Sequence, residues 1–176
     1  MADNYLEKQY EAYELRKAAW EKERKYKKKN LTAKRPENEK EVPQGPMSIH
    51  HIAIWTFRLE ELRDFYTRYF NGKSNEKYTN PRKEFESYFI HFGEGASLEL
   101  MTRTDVQQVQ IEENRLGLTH LAFAFPNKED VLKLTERLRT DGYTIAGEPR
   151  TSGDGYFESV ILDPDGNRVE CVYKDE

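Results

Sequence analysis

The chain writes one short pattern twice: HHIAI at residues 50–54 and THLAF at 119–123. In each, a histidine precedes a bulky apolar residue, an alanine and a second bulky apolar residue. The two histidines, His51 and His120, stand 69 residues apart (120 − 51). Two more matches follow in the same order. Phe85-Glu86-Ser87 repeats as Phe157-Glu158-Ser159 at an offset of 72, and Leu98-Glu99-Leu100 as Val169-Glu170-Cys171 at 71. Ordered matches at a near-constant offset mark an internal duplication. Such a chain is constrained to two like modules, here within a length of 176 residues that suits about one domain or two small units sharing a core.

Periodicity fills in each unit. The first opens with a strand over 49–56 and a helix over 59–70, where Leu62, Phe65, Tyr66 and Tyr69 keep helical spacing and Asn71-Gly72 ends it. A short strand over 74–79 and strands over 84–92 and 96–102 follow, the last two joined by Gly93-Glu94-Gly95. The second opens with a strand over 118–125. Its helix starts at Pro126-Asn127, carries Val131, Leu132, Leu134 and Leu138, and stops at Asp141-Gly142. Strands over 143–148, 156–162 and 168–173 complete it, with the turn chemistry of DPDGN between the last two. The expectation is an α+β protein of two βαβββ modules, at about 47–103 and 117–176, preceded by a helical arm.

Strand alternation then sorts the side chains. Ile52 and Ile54 face one way, and His51, Ala53 and Trp55 the other. Leu121, Phe123 and Phe125 oppose His120, Ala122 and Ala124. Leu98 and Leu100 oppose Glu99, while Val169, Cys171 and Tyr173 oppose Glu170. The bulky set packs under each module's helix, and the His and Glu face away from it. A carboxylate in the middle of an apolar strand is costly unless paired or bound to metal. Two such carboxylates with two imidazoles suit a divalent cation. His50 falls on the opposite face, as a structural residue.

Charge and composition bound the rest. Residues 1–46 hold 12 Lys/Arg against 9 Asp/Glu and the remainder 16 against 23, so the arm is near +3 and the body near −7, summing to −4. An acidic body argues against nucleic acid. Cys171 is the single cysteine, which excludes an intrachain disulfide and fits a reducing compartment. No apolar run approaches a membrane span, and MADNYLEKQY lacks a secretory stretch, so a cytoplasmic location is expected. Residues 4–29 read as a helix with Leu6, Tyr10, Tyr13, Lys17 and Trp20 on one face, docking on the body or on a second chain. Residues 30–46, with three prolines, read as a linker.

Four stretches, HHIAIWTFRLEELRDFYTRYFNG, SYFIHFGEGASLELM, GLTHLAFAF and LDPDGNRVECVY, together resemble the vicinal oxygen chelate (glyoxalase/bleomycin resistance/dioxygenase) superfamily over roughly residues 48–174. The resemblance implies a cleft of eight strands and a divalent metal held by the first and last strands of each module. Carried over, the ligands are His51, Glu99, His120 and Glu170, a His/Glu/His/Glu set like that of glyoxalase I, with one divalent ion per site (Zn, Ni, Co or Mn). Modules in this family pair within one chain or between two chains, so a homodimer aided by the arm is one expectation.

Four protein ligands on a six-coordinate ion leave two positions, where a small substrate with adjacent oxygens can chelate. The ion would act as a Lewis acid on an enediolate as a proton leaves the neighbouring carbon. Glu170 is the expected proton carrier and Glu99 its symmetric counterpart. The reading is a lactoylglutathione lyase-like isomerase or lyase. A non-catalytic protein that sequesters an antibiotic-type molecule is the alternative, and a metal-dependent dioxygenase a further one. Trp55 stands where glyoxalase I enzymes usually have an arginine, and Arg103 where they have an asparagine, so glutathione-binding residues are not evident. Trp55, Arg82, Ser87, His91, Arg103, Arg150, Tyr156 and Glu158 are expected in the substrate pocket, with Lys83 beside them. GDGYFES at 153–159 reads as a flexible lid.

Overall fold

A computed structural model describes residues 14–25, 46–108 and 116–174 of the chain. It divides into two compact units, Met1–Pro46 and Met47–Glu176. In the first, residues 14–25 form a helix, α1. The Arg24 guanidinium lies 5.2 Å from the Trp20 ring centroid, one helical turn away. Leu6, Tyr10 and Tyr13 of the expected stripe, and residues 30–45 of the expected linker, lie outside the described residues.

The second unit holds two βαβββ modules. The first comprises β1 (His51–Trp55), α2 (Leu59–Tyr69), β2 (Lys73–Ser74), β3 (Tyr78–Asn80), β4 (Phe85–His91) and β5 (Ser97–Arg103). The second comprises β6 (His120–Ala124), α3 (Lys128–Thr140), β7 (Ile145–Thr151), β8 (Phe157–Leu162) and β9 (Arg168–Tyr173). The single short strand expected over 74–79 is two, because the ladder is interrupted between them: the Asn75 side chain, not a backbone carbonyl, accepts from Phe89 N at 2.8 Å. The first sheet runs β1-β5-β4-β2 with β3 also on β4, and the second β6-β9-β8-β7. In both, the outer pair (β1 with β5, β6 with β9) is parallel and the others antiparallel. Pro149 is placed on β7, an edge strand, where a missing N–H does no damage.

The helices form for local reasons and stay for packing. α2 buries Leu59, Leu62, Phe65 and Tyr66, and carries Glu60 and Glu61 in its first turn and Arg68 in its last, as the helix dipole favours. α3 is capped by the Asn127 side chain, which accepts from Asp130 N at 2.8 Å. It buries Val131, Thr135 and Leu138, while Leu132 is exposed. Thr135 belongs on the buried face because its hydroxyl is satisfied twice, by Val131 O and by Ser159 Oγ, each at 2.7 Å.

Strand registers confirm the duplication and correct one of its matches. Ala53 pairs with Glu99, which pairs with Phe89; Ala122 pairs with Glu170, which pairs with Val160. Phe89 therefore corresponds to Val160, an offset of 71, not the 72 implied by the two Phe-Glu-Ser runs. A one-residue slip changes the face. Ser87 shares a face with Trp55 through Met101, whereas Ser159 pairs with Cys171 and meets α3 on the other.

One core serves both modules. α2 packs on the first sheet, and its far side meets the second module. Phe70 and Phe92 approach Phe123 with ring centroids 4.5 and 4.9 Å apart, and Phe65 lies 5.0 Å from Tyr143. The Tyr66 hydroxyl donates to Asp163 Oδ2 at 2.9 Å across the boundary. Leu62, Ile90, Leu100, Val131, Ile161 and Val169 are fully buried in this core, each contributing about 1.5–3 kcal/mol relative to exposure. Both sheets thus turn their helix-bearing faces inward.

Candidate metal-binding half-sites

The faces turned outward carry the histidines and glutamates. On the first sheet, His51 Nε2 lies 3.6 Å from Glu99 Oε2, and on the second, His120 Nε2 lies 3.4 Å from Glu170 Oε2. Both glutamate side chains are 18% exposed. The likeness follows from register: in each module the histidine is two residues before the alanine that pairs with the glutamate. An alanine in that place leaves room above the carboxylate.

Neither separation is a direct bond; the 3.4 Å pair matches the wide end of the spacing of two ligands on one ion, and the 3.6 Å pair stands just beyond it. They exceed the usual N–H···O range. Two ligands each about 2.1 Å from one ion lie roughly 3.0–3.4 Å apart at octahedral to tetrahedral angles. The donor set, imidazole nitrogen and carboxylate oxygen, fits zinc, nickel, cobalt or manganese without sharp selection.

The two pairs do not meet within the chain. Among the described residues, no three His, Cys, Asp or Glu side chains gather where they could hold a metal ion. The cause is the shared core. Because Phe123 and α2 fill the space between the inner faces, the outer faces of the two sheets look away from each other. Each sheet therefore presents one His–Glu pair on its own outward face.

The remaining expected residues divide between the halves. Trp55, Ser87, His91 and Arg103 lie on the His51–Glu99 face, as cross-strand partners show. The His51 ring meets Phe89 edge-on at 5.4 Å, and Phe89 stacks with His91 at 6.3 Å. His91 Nδ1 lies 2.8 Å from Ser97 Oγ. Arg103 lies over the Trp55 ring at 5.4 Å and pairs with Asp105. Arg82 and Lys83 are exposed in the turn between β3 and β4, off the sheet face. On the other half, Arg150 pairs with Glu158 at 3.0 Å, and Lys174 lies 4.5 Å from the Tyr156 ring.

Two expectations need correction. His50 is not on the opposite face of a strand, because β1 begins at His51; its Nδ1 lies 2.9 Å from His51 Nδ1, exposed. GDGYFES is not a loose lid. Ser152 N donates to Tyr156 O at 2.8 Å and Gly155 N to Ser152 O at 3.0 Å, and the stretch from Phe157 is β8. Alternation could also have found Phe89 and Met101, which flank Glu99 on its own face.

Behind Glu170 lies an inert layer. Burial pushes the Cys171 thiol up to about 12, so it stays a thiol at neutral pH. No described helix is long and apolar enough to cross a membrane.

A sequence model of the Glyoxalase/Bleomycin resistance protein/Dioxygenase superfamily matches residues 48–171. Among curated proteins, the chain is 27% identical over 132 residues to the Uncharacterized protein YqjT of Bacillus subtilis (strain 168), covering 70% of this chain and 97% of that protein. Among solved structures, glyoxalase I from Zea mays is similar at 25% identity and a TM-score of 0.62, covering 73% of this chain. The chain spans 45% of the maize enzyme's length. A glyoxylase/bleomycin resistance protein/dioxygenase domain from Frankia sp. EAN1pec matches at 19% identity and a TM-score of 0.65, covering 75% of this chain and 95% of that one. The trypanothione-dependent glyoxalase I of Leishmania major matches at 23% identity and a TM-score of 0.59, covering 73% and 88%.

Proposed function

Because the chain belongs to the Glyoxalase/Bleomycin resistance protein/Dioxygenase superfamily, we propose that it is a metal-dependent, glyoxalase-like isomerase or lyase whose site is completed between two copies. Its substrate is a small molecule with adjacent oxygen atoms. The observation that carries this reading is the duplicated His–Glu pair, held in matching registers on faces that one chain cannot bring together. His51 and Glu99 of one copy would meet His120 and Glu170 of the other. A twofold dimer makes that pairing twice, giving two equivalent sites. The likeness to the maize glyoxalase I supports the enzymatic reading.

When bound there, a divalent cation would polarise the oxygens of the substrate as a Lewis acid. The chain's own residues do the rest. The two histidines, Glu99 and Glu170 would hold the ion. Glu170, on a central strand with apolar neighbours, would take a proton from the carbon beside the substrate's carbonyl and return it to the adjacent carbon. Ala53 and Ala122 would leave the space in which the substrate sits.

Complementation tests the shared site. Glu99→Gln and Glu170→Gln chains are purified alone and co-expressed. In a mixed dimer, one site carries both substitutions and the other carries none. Random mixing then restores about a quarter of native activity and metal content, since half the dimers are mixed and each has one intact site of two. Sites built within single chains restore nothing. Metal analysis of protein purified without a His-tag separates the enzyme from a sequestering protein, which would carry no ion.

A further inference from the structure

The two half-clefts differ sharply beside their His–Glu pairs. On the first sheet, Phe89 lies next to Glu99, and Trp55 lies on the same face one pleat repeat further on. Phe85 and Tyr78 continue the surface, the Phe85 ring 6.1 Å from Trp55 and 6.1 Å from Tyr78. Trp55 is 45% exposed and Tyr78 53%. On the second sheet, the places of Phe89 and Trp55 hold Val160 and Ala124, with Val172 beside them, while Glu158, paired with Arg150, and Tyr156, under Lys174, stand further along at the places of Ser87 and Phe85. Gly147 pairs with Val160 there, with so little space that an added Cβ would stand 3.2 Å from the valine side chain.

We propose that the wall of Phe89, Trp55 and Phe85 binds a planar aromatic group of the substrate, whose adjacent oxygens lie at the His51–Glu99 end. This rests on the shared cleft proposed above, in which the rings beside the first His–Glu pair face the small Val160 and Ala124 beside the second. Such a pairing leaves a slot on the aromatic side. Exposed aromatic surface of this extent, on the inside of a cleft, is a binding surface rather than scattered exposure. The rings already stand edge-to-face: Trp55 with Phe85 at 90° and His51 with Phe89 at 75°. A further ring is received in the offset or edge-on geometry that aromatic pairs prefer. Charge does not govern the choice. Arg103, over Trp55, is paired with Asp105, and Lys174, over Tyr156, lies near Asp154. The wall therefore selects by shape and ring contact. From Ala53 to Trp55 the strand advances about 7 Å, enough for one ring beyond the chelating oxygens.

Two pairs of probes test it. Phenylglyoxylate and pyruvate present the same adjacent oxygens, with and without a ring, and are titrated against the metal-loaded protein. Phenylacetate and acetate, which lack the second oxygen site, are titrated against the metal-free protein and read the wall alone. Phenylglyoxylate is expected to bind about tenfold more tightly than pyruvate. Trp55→Leu and Phe89→Leu each reduce that ratio about threefold or more, Trp55→Leu with pyruvate affinity unchanged. Trp55→Leu keeps the native oligomeric state by light scattering. Equal affinities for both pairs, or a ratio untouched in both variants, overturn the proposal. So does a Trp55→Leu protein that dissociates while its ratio holds, which would make the wall a contact between copies. If pyruvate fails to bind because no ion is held, but phenylacetate still binds better than acetate, the metal reading falls and the aromatic wall stands.

Discussion

His51–Glu99 and His120–Glu170 occupy matching registers, 3.6 and 3.4 Å apart, with glutamates equally shielded. Around them the modules diverge. Phe89 and Trp55 flank the first pair, Val160 and Ala124 the second. The contrast separates two tasks. Holding one ion, as proposed, would demand fixed distances, and both copies of the unit keep the same outer strand pairing and pleat phase. Shaping the proposed substrate slot would demand unlike walls, which a duplicated unit can supply once its outward side chains differ. Proton transfer is the place where that symmetry is expected to break most. Glu170→Gln should lower kcat by about 10²–10⁴-fold. Glu99→Gln should weaken the metal but lower kcat less once metal is saturating. His120→Ala should lose the ion. Kinetics at saturating metal, with bound metal counted by emission spectroscopy, make the comparison. Equal kcat losses in the two Gln variants would show the halves to be interchangeable and remove Glu170 from its special role.

Much of this contrast could be read from the sequence, because alternation is a local property. The faces of His51, Glu99, His120 and Glu170 follow from the pattern of Ile52, Leu98, Leu121 and Val169, which the structure packs inward. The Phe-Glu-Ser match failed because identity of three letters carries no pleat phase: β7 is bulged at Gly147 and Arg150, and the turn before β8 differs in length from that before β4. Thr135 on the buried arc of α3 was not legible, because it rests on a tertiary bond to Ser159. The inward packing of the two modules was not legible at all. It depends on Phe70 and Phe92 meeting Phe123, contacts between residues whose local patterns say only that they are buried.

The module boundary offers the next comparison. Phe92 and Asp163 correspond at the offset of 71, and each reaches into the other module, one as a ring and one as a carboxylate. Asp163 accepts from Tyr66 Oη, Asp165 N, Asn167 N and Asn167 Nδ2, all at 2.8–3.0 Å. Asp163→Ala strands these donors and should cost about 2–3 kcal/mol by denaturant unfolding. Tyr66→Phe should cost about 1 kcal/mol, since it removes a single bond but leaves the carboxylate its others. Burial holds the Asp163 carboxyl above the usual range, against the donors that pull it down. A folded-state value above the unfolded one gives stability that is full at low pH and is lost as pH rises through the folded value. Relative to Asp163→Asn, the native protein should therefore lose stability as pH rises from the unfolded carboxyl value through the folded one. A rise instead would mean that the four donors outweigh burial.

The ends of the two helices differ in the opposite sense, with unlike reasons behind like residues. Gly72 and Gly142 each follow a helix, 70 positions apart (142 − 72). Gly142 has φ +88 and nothing within 4 Å of where a Cβ would stand. In the first module the left-handed position is Asn71, at φ 53, one residue earlier. Gly72 needs no special φ, but a Cβ there would run into Ile90 and lie 2.9 Å from Phe92 and 3.0 Å from Tyr66 O. Gly72→Ala should therefore act through packing, at about 1–3 kcal/mol, and Gly142→Ala through backbone strain alone, at about 1 kcal/mol. The cause is separable by a second substitution. Gly142→Asn should recover part of its loss, because asparagine tolerates the left-handed region, whereas Gly72→Asn should be worse than Gly72→Ala. Thermal melts of the four variants read this directly. Recovery by asparagine at position 72 would mean that conformation rather than space sets that turn, and the two helix ends would then be alike.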